Sequence, residues 1–453
     1  EAALVALTFV LVYVHVLRET EGSPITAFLL AVAAAIVSCG FFEPRPHLWT
    51  YLFLAITIVI LQRARQDASR RNHAWLLAVV YFVWSNLHAG AVVGLAMIAA
   101  FALGDFLASR RSSAEQEALL ARAKFTAMLA LGCIAATFVN PYGWRIYENL
   151  LSTISSDTAM NLVLEWASPD FHSKSGKILE LFLGVIIYSI AFTTRKRDPG
   201  SLIVLALLVY ASLSAARNAP LLAVVGSMLI GAELQSAIER HIPNRKHSES
   251  YFFGKTPNAA IVTAAVLGIA VLAGTKIGAS VRGDGLGEMP MAYRIAANSF
   301  GWSNFPTGAA DFIEAEQFPV SMKLYNIYDF GGYLIGRLPN RPVFIDGRAD
   351  IYFGDILEDV NNIQGMSYDW QEILKKRGCD FIVTSAAKKQ TRLYLNSPDW
   401  TLVYADWANL DNENGVNALI FIRNRPEYAR LIAKCRSDCP AAVNASKFSA
   451  WRF

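Results

Sequence analysis

Apolar positions dominate residues 1–279 in long runs, whereas residues 280–453 alternate short β-branched runs with helical periodicity. A helix crossing the hydrocarbon core needs about 20 mainly apolar residues. Runs of that kind fall at about 1–17, 25–42, 47–62, 74–89, 90–108, 124–140, 177–194, 200–216, 219–236 and 259–278. The pattern predicts a polytopic α-helical membrane domain of about ten spans over 1–279, followed by an α/β domain over 280–453.

The polar breaks between these runs carry unequal charge. One set holds Arg63, Arg65, Arg70 and Arg71; Arg110, Arg111, Arg122 and Lys124; Arg195, Lys196 and Arg197; and Arg240, Arg245 and Lys246. The alternate set, at 40–47, 87–90, 140–176 and 217–219, is poor in Lys and Arg. Basic loops stay cytoplasmic, so the alternate set is expected outside. Counting spans onward puts the C-terminal domain outside as well, on an inner (plasma) membrane. The same parity sets Glu1 on the outer side, so the expectation is that an upstream segment is missing and the membrane domain is N-terminally incomplete. Residues 241–258 read as a polar cytoplasmic linker.

Composition agrees with this division. Of 453 residues, 54% are hydrophobic and only 17% charged, which excludes an ordinary cytosolic enzyme. A net charge of +4 is too small to point to nucleic acid. Five scattered cysteines give neither a disulfide framework nor a zinc pattern; Cys435 and Cys439 make either a local disulfide or a free pair. Walker, HExxH, GxSxG and dinucleotide patterns are absent.

Polar side chains pressed against span ends need a reason. In Glu43-Pro44-Arg45-Pro46-His47, prolines stiffen a loop that holds a carboxylate, a guanidinium and an imidazole. Either Arg45 and His47 grip a phosphate with Glu43 as base or metal ligand, or the group snorkels at the interface. In the turn Trp84–Gly90, Asn86 and His88 either line a cavity or hold the turn by hydrogen bonds. The longest outer break, 140–176, carries Tyr142, Glu165 and Asp170; the last two are the preferred acidic candidates. Arg217, in the break Arg217–Pro220, needs a partner: a phosphate, or an ion pair or carbonyl within the bundle.

In the second domain, helices are expected at 306–317 and 370–377, the latter stopped by Gly378. Strands are expected at 323–327, 341–345, 380–384, 400–405 and 418–423, with 328–333 as a glycine-containing turn. Sites in open α/β sheets gather at the C-terminal ends of strands. Asp346, Arg348 and Asp350, after the strand expected at 341–345, are therefore candidates, unless they only pair with one another.

A polytopic domain with tight outer turns and an external α/β domain resembles the GT-C superfamily of lipid-linked sugar transferases. The segment Asn326-Ile327-Tyr328-Asp329-Phe330-Gly331-Gly332-Tyr333 resembles the WWDYG-type segment that opens the soluble domain of oligosaccharyltransferase catalytic subunits. Tyr328 and Phe330 stand in place of that segment's aromatic pair and central Tyr, and an extra Gly follows. The stretch 343–350, Arg45-Pro46-His47, the Trp84–His88 turn and Asn140–Gly143 resemble bacterial membrane proteins of the same type. The resemblance implies a membrane glycosyltransferase that uses a polyprenyl-phosphate sugar donor in a lipid membrane, often with a divalent metal (Mg or Mn), and an acidic residue in the first outer loop. It also implies substrate contacts by Asp329 and Tyr333. The competing expectation is a non-catalytic structural or assembly subunit with protein partners in a larger membrane complex. A transporter fits less well, because internal repeats and mid-span charges are few.

Overall fold

The computed structural model describes residues 2–42, 45–111, 114–154, 164–241, 305–348, 352, 355–386, 388–405 and 418–438. They form two compact units, one helical and one mixed. The boundary expected at 279/280, the linker after His241 and the span expected at 259–278 lie outside the described residues.

In the helical unit, every expected span that falls on described residues is a helix. These are Ala2–Glu19, Pro24–Ser38, His47–Gln66, Leu76–Leu87, Ala91–Ser109, Gln116–Thr137, Lys174–Phe192, Pro199–Ser214 and Ala219–His241. Among the described residues, 7 helices are long and apolar enough to cross a membrane, and Pro199–Ser214 is a shorter apolar one. The chain is a multi-pass membrane protein. Helix starts follow local chemistry: Ser173 accepts a hydrogen bond from the Gly176 amide, and Asp198 from the Ser201 amide ahead of Pro199. The break 140–176 is not loop throughout, because Arg145–Ile154 is helical.

One helix organises the bundle. Ala219–His241 is buried without interruption from Ala219 to Ala232, and packs on Ala2–Glu19, Pro24–Ser38, His47–Gln66, Lys174–Phe192 and Pro199–Ser214. Outer helices instead present large apolar side chains; Leu181 is 73% exposed and Ile187 67%. That surface suits lipid and is costly in water. The helices Ala91–Ser109 and Pro199–Ser214 meet backbone to backbone: a Cβ on Gly104 would lie 2.2 Å from the Gly200 nitrogen.

Beside that crossing lies a buried ion network. Arg65, expected from sequence to be an ordinary basic loop charge, is 6% exposed. Its Nη2 lies 2.6 Å from Asp105 and 2.9 Å from Asp198, and Arg122 reaches Asp105 at 2.5 Å. Its guanidinium also covers the Phe101 ring at 4.5 Å. Two guanidiniums thus neutralise two carboxylates, which is how charge is tolerated at such depth.

The mixed unit is built on a four-stranded sheet. Strands β1 (Leu324–Asn326), β2 (Phe381–Ser385), β3 (Trp400–Ala405) and β4 (Ala418–Arg423) lie in the order β1-β2-β4-β3, with β1 parallel to β2 and the other pairs antiparallel. Helices Thr307–Ala315, Asp355–Gln364, Trp370–Lys376, Thr391–Asn396 and Ala429–Asp438 surround it. Gly378 ends its helix at φ +73°, as expected.

Two expectations are corrected here. Residues 328–333 are not a turn; they begin the helix Tyr328–Arg337. Gly331 serves contact rather than bending, because a Cβ there would lie 2.0 Å from the Ile345 carbonyl. Residues 341–345 form no strand. The side-chain amide of Asn326 takes the place of a ladder, donating to Ile345 O at 2.8 Å and accepting from the Phe344 amide at 2.9 Å. Buried backbone groups need partners, and one buried Asn supplies two.

Candidate anion-binding site

The helix His47–Gln66 begins directly after Pro46, whose φ of −57° suits a helix entry. The His47 ring closes this entry by donating from Nε2 to the Phe41 carbonyl at 2.8 Å. Arg45 is thereby held at the end of the bundle, where its Nη1 meets Glu165 Oε1 at 2.9 Å. Glu165 belongs to the short turn Leu164–Trp166, which docks on the turn Ala216–Asn218: the Ala216 amide donates to Ala167 O at 2.9 Å. The Arg217 guanidinium lies over the Trp166 ring, 4.5 Å from its centre.

The turn between Leu76–Leu87 and Ala91–Ser109 reaches the same end of the bundle. His88 Nδ1 lies 2.8 Å from Thr50 Oγ1 and 3.1 Å from the Gly90 amide nitrogen, and Trp84 donates to Thr50 Oγ1 at 3.2 Å. Asn86 ties this turn to the start of the next outer break, donating to Val139 O at 2.9 Å and to Phe82 O at 2.8 Å. Arg45, Arg217 and Glu165 lie within electrostatic range of His47, and Arg217 and His47 within range of His88. All four breaks expected outside therefore gather at one end of the bundle. The opposite end carries Arg65; with 1.5 Å per residue, His47 and Arg65 stand about 27 Å apart along their helix, close to the thickness of a hydrocarbon core.

The structure brings together Arg45, His47, His88, Glu165 and Arg217. Among the described residues, Asp170 and Tyr142 make none of these contacts. Asp170 closes its own turn, accepting from the His172 amide at 2.9 Å and, through its carbonyl, from Ser173 Oγ at 2.6 Å. Tyr142 is 72% exposed, and its amide is held by Asn140 at 2.7 Å. Glu43 lies outside the described residues.

In the mixed unit, Asp329 sits in the first turn of Tyr328–Arg337 and pairs with Lys388 at 2.8 Å. Tyr333 is buried and stacks on Phe305, with ring centres 5.1 Å apart. Asp346 pairs with Arg348 at 2.7 Å and accepts from Tyr352 at 2.7 Å. The hydrogen bonds from Arg348 hold its carboxyl down at about 2. This triad follows no strand, so the argument from strand ends does not apply to it. Asp350 and Cys439 lie outside the described residues, and Cys435 is a buried free thiol.

The described residues at the bundle end do not assemble a divalent-metal site. Among the described residues no three His, Cys, Asp or Glu side chains group closely enough to hold one. Glu165 is paired with a guanidinium, and His88 Nδ1 accepts from the Gly90 amide. Among the described residues there, Arg45 and Arg217 outnumber the carboxylate Glu165, a balance that suits an anion.

Sequence reading missed Thr50, which holds His88 and sits one turn beyond His47 on the same helix. It also missed the Arg65 network, although Asp105 was a readable signal as an acid within an apolar run.

Solved structures similar to this chain include two archaeal oligosaccharyltransferase structures. AglB from Archaeoglobus fulgidus, in complex with an inhibitory peptide and a dolichol-phosphate, aligns at 14% identity with a TM-score of 0.49, over 85% of this chain and 57% of that one. The Archaeoglobus fulgidus oligosaccharyltransferase tethered through a disulfide to an acceptor peptide containing the NVT sequon aligns at 12% identity and a TM-score of 0.46, with the same coverage. The chain thus spans 57% of the length of these structures. No protein-family model and no curated protein sequence matches it.

Proposed function

We propose that the chain is a membrane glycosyltransferase, moving a sugar from a polyprenyl-phosphate-linked donor to an acceptor on the outer side of the membrane, with its C-terminal unit on that side. The observation that carries this reading is the Arg45–Glu165 pair beside Arg217, which lies over the neighbouring Trp166 ring, with His47 and His88 at the same end of the bundle. A guanidinium pair at one end of the bundle matches a donor whose lipid lies in the bilayer and whose headgroup lies at its surface.

The chemistry is displacement at the anomeric carbon. The bond from the acceptor oxygen to that carbon forms as the bond from carbon to phosphate oxygen breaks, and the electron pair leaves with the phosphate. Arg45 and Arg217 neutralise the departing charge, as preorganised cations do where charge develops. The acceptor proton passes to the Glu165 carboxylate. In the structure that carboxylate is paired with Arg45 at 2.9 Å.

A second reading, a structural subunit of a membrane complex, is favoured by the same Arg45–Glu165 pair if it serves only to join two loops. Sugar transfer by membranes containing the full-length protein separates the two. Removing one preorganised donor typically costs about 10²–10³-fold in rate. Loss on that scale in both Arg45→Ala and Arg217→Ala supports the enzyme; full activity in both ends the assignment.

A further inference from the structure

The hydrogen bonds around His88 determine where its proton sits. A backbone amide and an indole nitrogen can only donate. The Gly90 amide is aimed at Nδ1 at 3.1 Å, so Nδ1 presents its lone pair. Trp84 donates to Thr50 Oγ1 at 3.2 Å, which leaves the Thr50 hydroxyl proton to support the same Nδ1 at 2.8 Å. The imidazole is therefore neutral, with its proton on Nε2. That nitrogen makes no hydrogen bond to a described residue. Gly90 is needed for this arrangement: a Cβ there would lie 2.2 Å from Thr50 Oγ1 and 2.8 Å from His88 Nδ1.

We infer that His88 is a binding residue of the anion site, a neutral imidazole whose Nε2–H donates to a phosphate oxygen of a prenyl phosphate, with Thr50, Trp84 and Gly90 as its positioning residues. The inference rests on the proposed phosphate-binding role of the cluster and adds a fixed donor to it. A neutral donor supplies direction where Arg45 and Arg217 supply charge. It also makes His88 unsuited to act as a base or a metal ligand through Nε2, because that nitrogen already carries its proton.

Two variants separate the roles of the ring nitrogens. His88→Asn keeps an acceptor where Nδ1 stands, for Gly90 and Thr50, but has no donor at the Nε2 position. His88→Gln places an amide donor near that position. The full-length protein in detergent is titrated with farnesyl phosphate, and separately with inorganic phosphate, and the wild-type ring is observed by nitrogen-15 NMR of labelled histidine. A lost hydrogen bond to a charged group predicts about tenfold weaker farnesyl phosphate binding by His88→Asn, with His88→Gln restoring most of the loss. The NMR spectrum should show Nδ1 unprotonated and Nε2 protonated at neutral pH.

Wild-type binding with unchanged affinity in His88→Asn overturns the inference and leaves the proposed function standing, as does a ring protonated on Nδ1. A wild-type protein that binds no farnesyl phosphate overturns the proposed function, and this inference with it. Equal affinity for inorganic phosphate keeps the donor but overturns the prenyl lipid as its ligand.

Discussion

Arg45 Nη1 and Glu165 Oε1 lie 2.9 Å apart across 120 residues of chain, joining the first of the Lys- and Arg-poor breaks to the third. Both side chains are partly exposed, at 49% and 33%. A pair in that setting contributes about 0–1 kcal/mol, so its placement at the cation cluster calls for a role beyond stability. Arg45→Ala and Glu165→Gln should each leave the thermal midpoint of the purified protein nearly unchanged while abolishing most sugar transfer. A midpoint that falls sharply in both, with residual transfer in proportion to folded protein, would show a structural clamp instead.

At the other end of the bundle the expectation reverses. Asp105 is fully buried and receives Arg65 and Arg122. Removing one partner of a buried ion pair costs about 3–5 kcal/mol, because the other charge is stranded. Asp105→Asn should therefore lower stability severely, and Arg122→Ala less, since Arg122 is 25% exposed at its side chain. Denaturation followed by tryptophan fluorescence checks the order; equal and small effects would contradict the network's role.

The Gly104–Gly200 crossing gives a packing test. A side chain on Gly104 meets backbone atoms of Gly200, which cannot rotate aside. Overpacking of this kind costs about 1–3 kcal/mol. Gly104→Leu should destabilise, whereas Gly184→Leu, where nothing lies within 4 Å of the added Cβ, should be close to neutral.

Asp346 predicts a pH dependence in the mixed unit. Its folded value of about 2 lies below the ordinary 3.8. Stability from the ionised carboxylate is thus complete above the unfolded value and is lost as pH falls from about 4 through about 2. Asp346→Asn should be less stable than wild type at neutral pH, and the gap should close across that acid window. A gap independent of pH would mean that the Arg348 and Tyr352 contacts contribute little.

The spans were legible because lipid demands long apolar runs, and Pro24, Pro199 and Asp198 mark helix starts by local chemistry. The convergence of the outer breaks was legible in outline from the alternation of Lys and Arg. Which polar residues meet was not: Glu165 and Asp170 look alike in sequence, yet one reaches Arg45 and the other closes its own turn. Asn326 explains the error at 341–345, since a side-chain amide there replaces the partner strand that β-branched residues seem to announce. Gly331 explains the error at 328–333, because glycine in a helix that packs backbone to backbone looks the same as glycine in a turn. Arg65 reads as a loop cation because its carboxylate partners lie 40 and 133 residues away.

The central claim is that the Arg45, Arg217 and His88 cluster holds a lipid-linked phosphate. Native mass spectrometry of the full-length protein, gently extracted from its own membrane, tests it most directly. The account predicts a bound polyprenyl phosphate or its sugar conjugate, lost in an Arg45→Ala, Arg217→Ala double variant. Stoichiometric protein partners with no such lipid in the wild-type spectrum would contradict it.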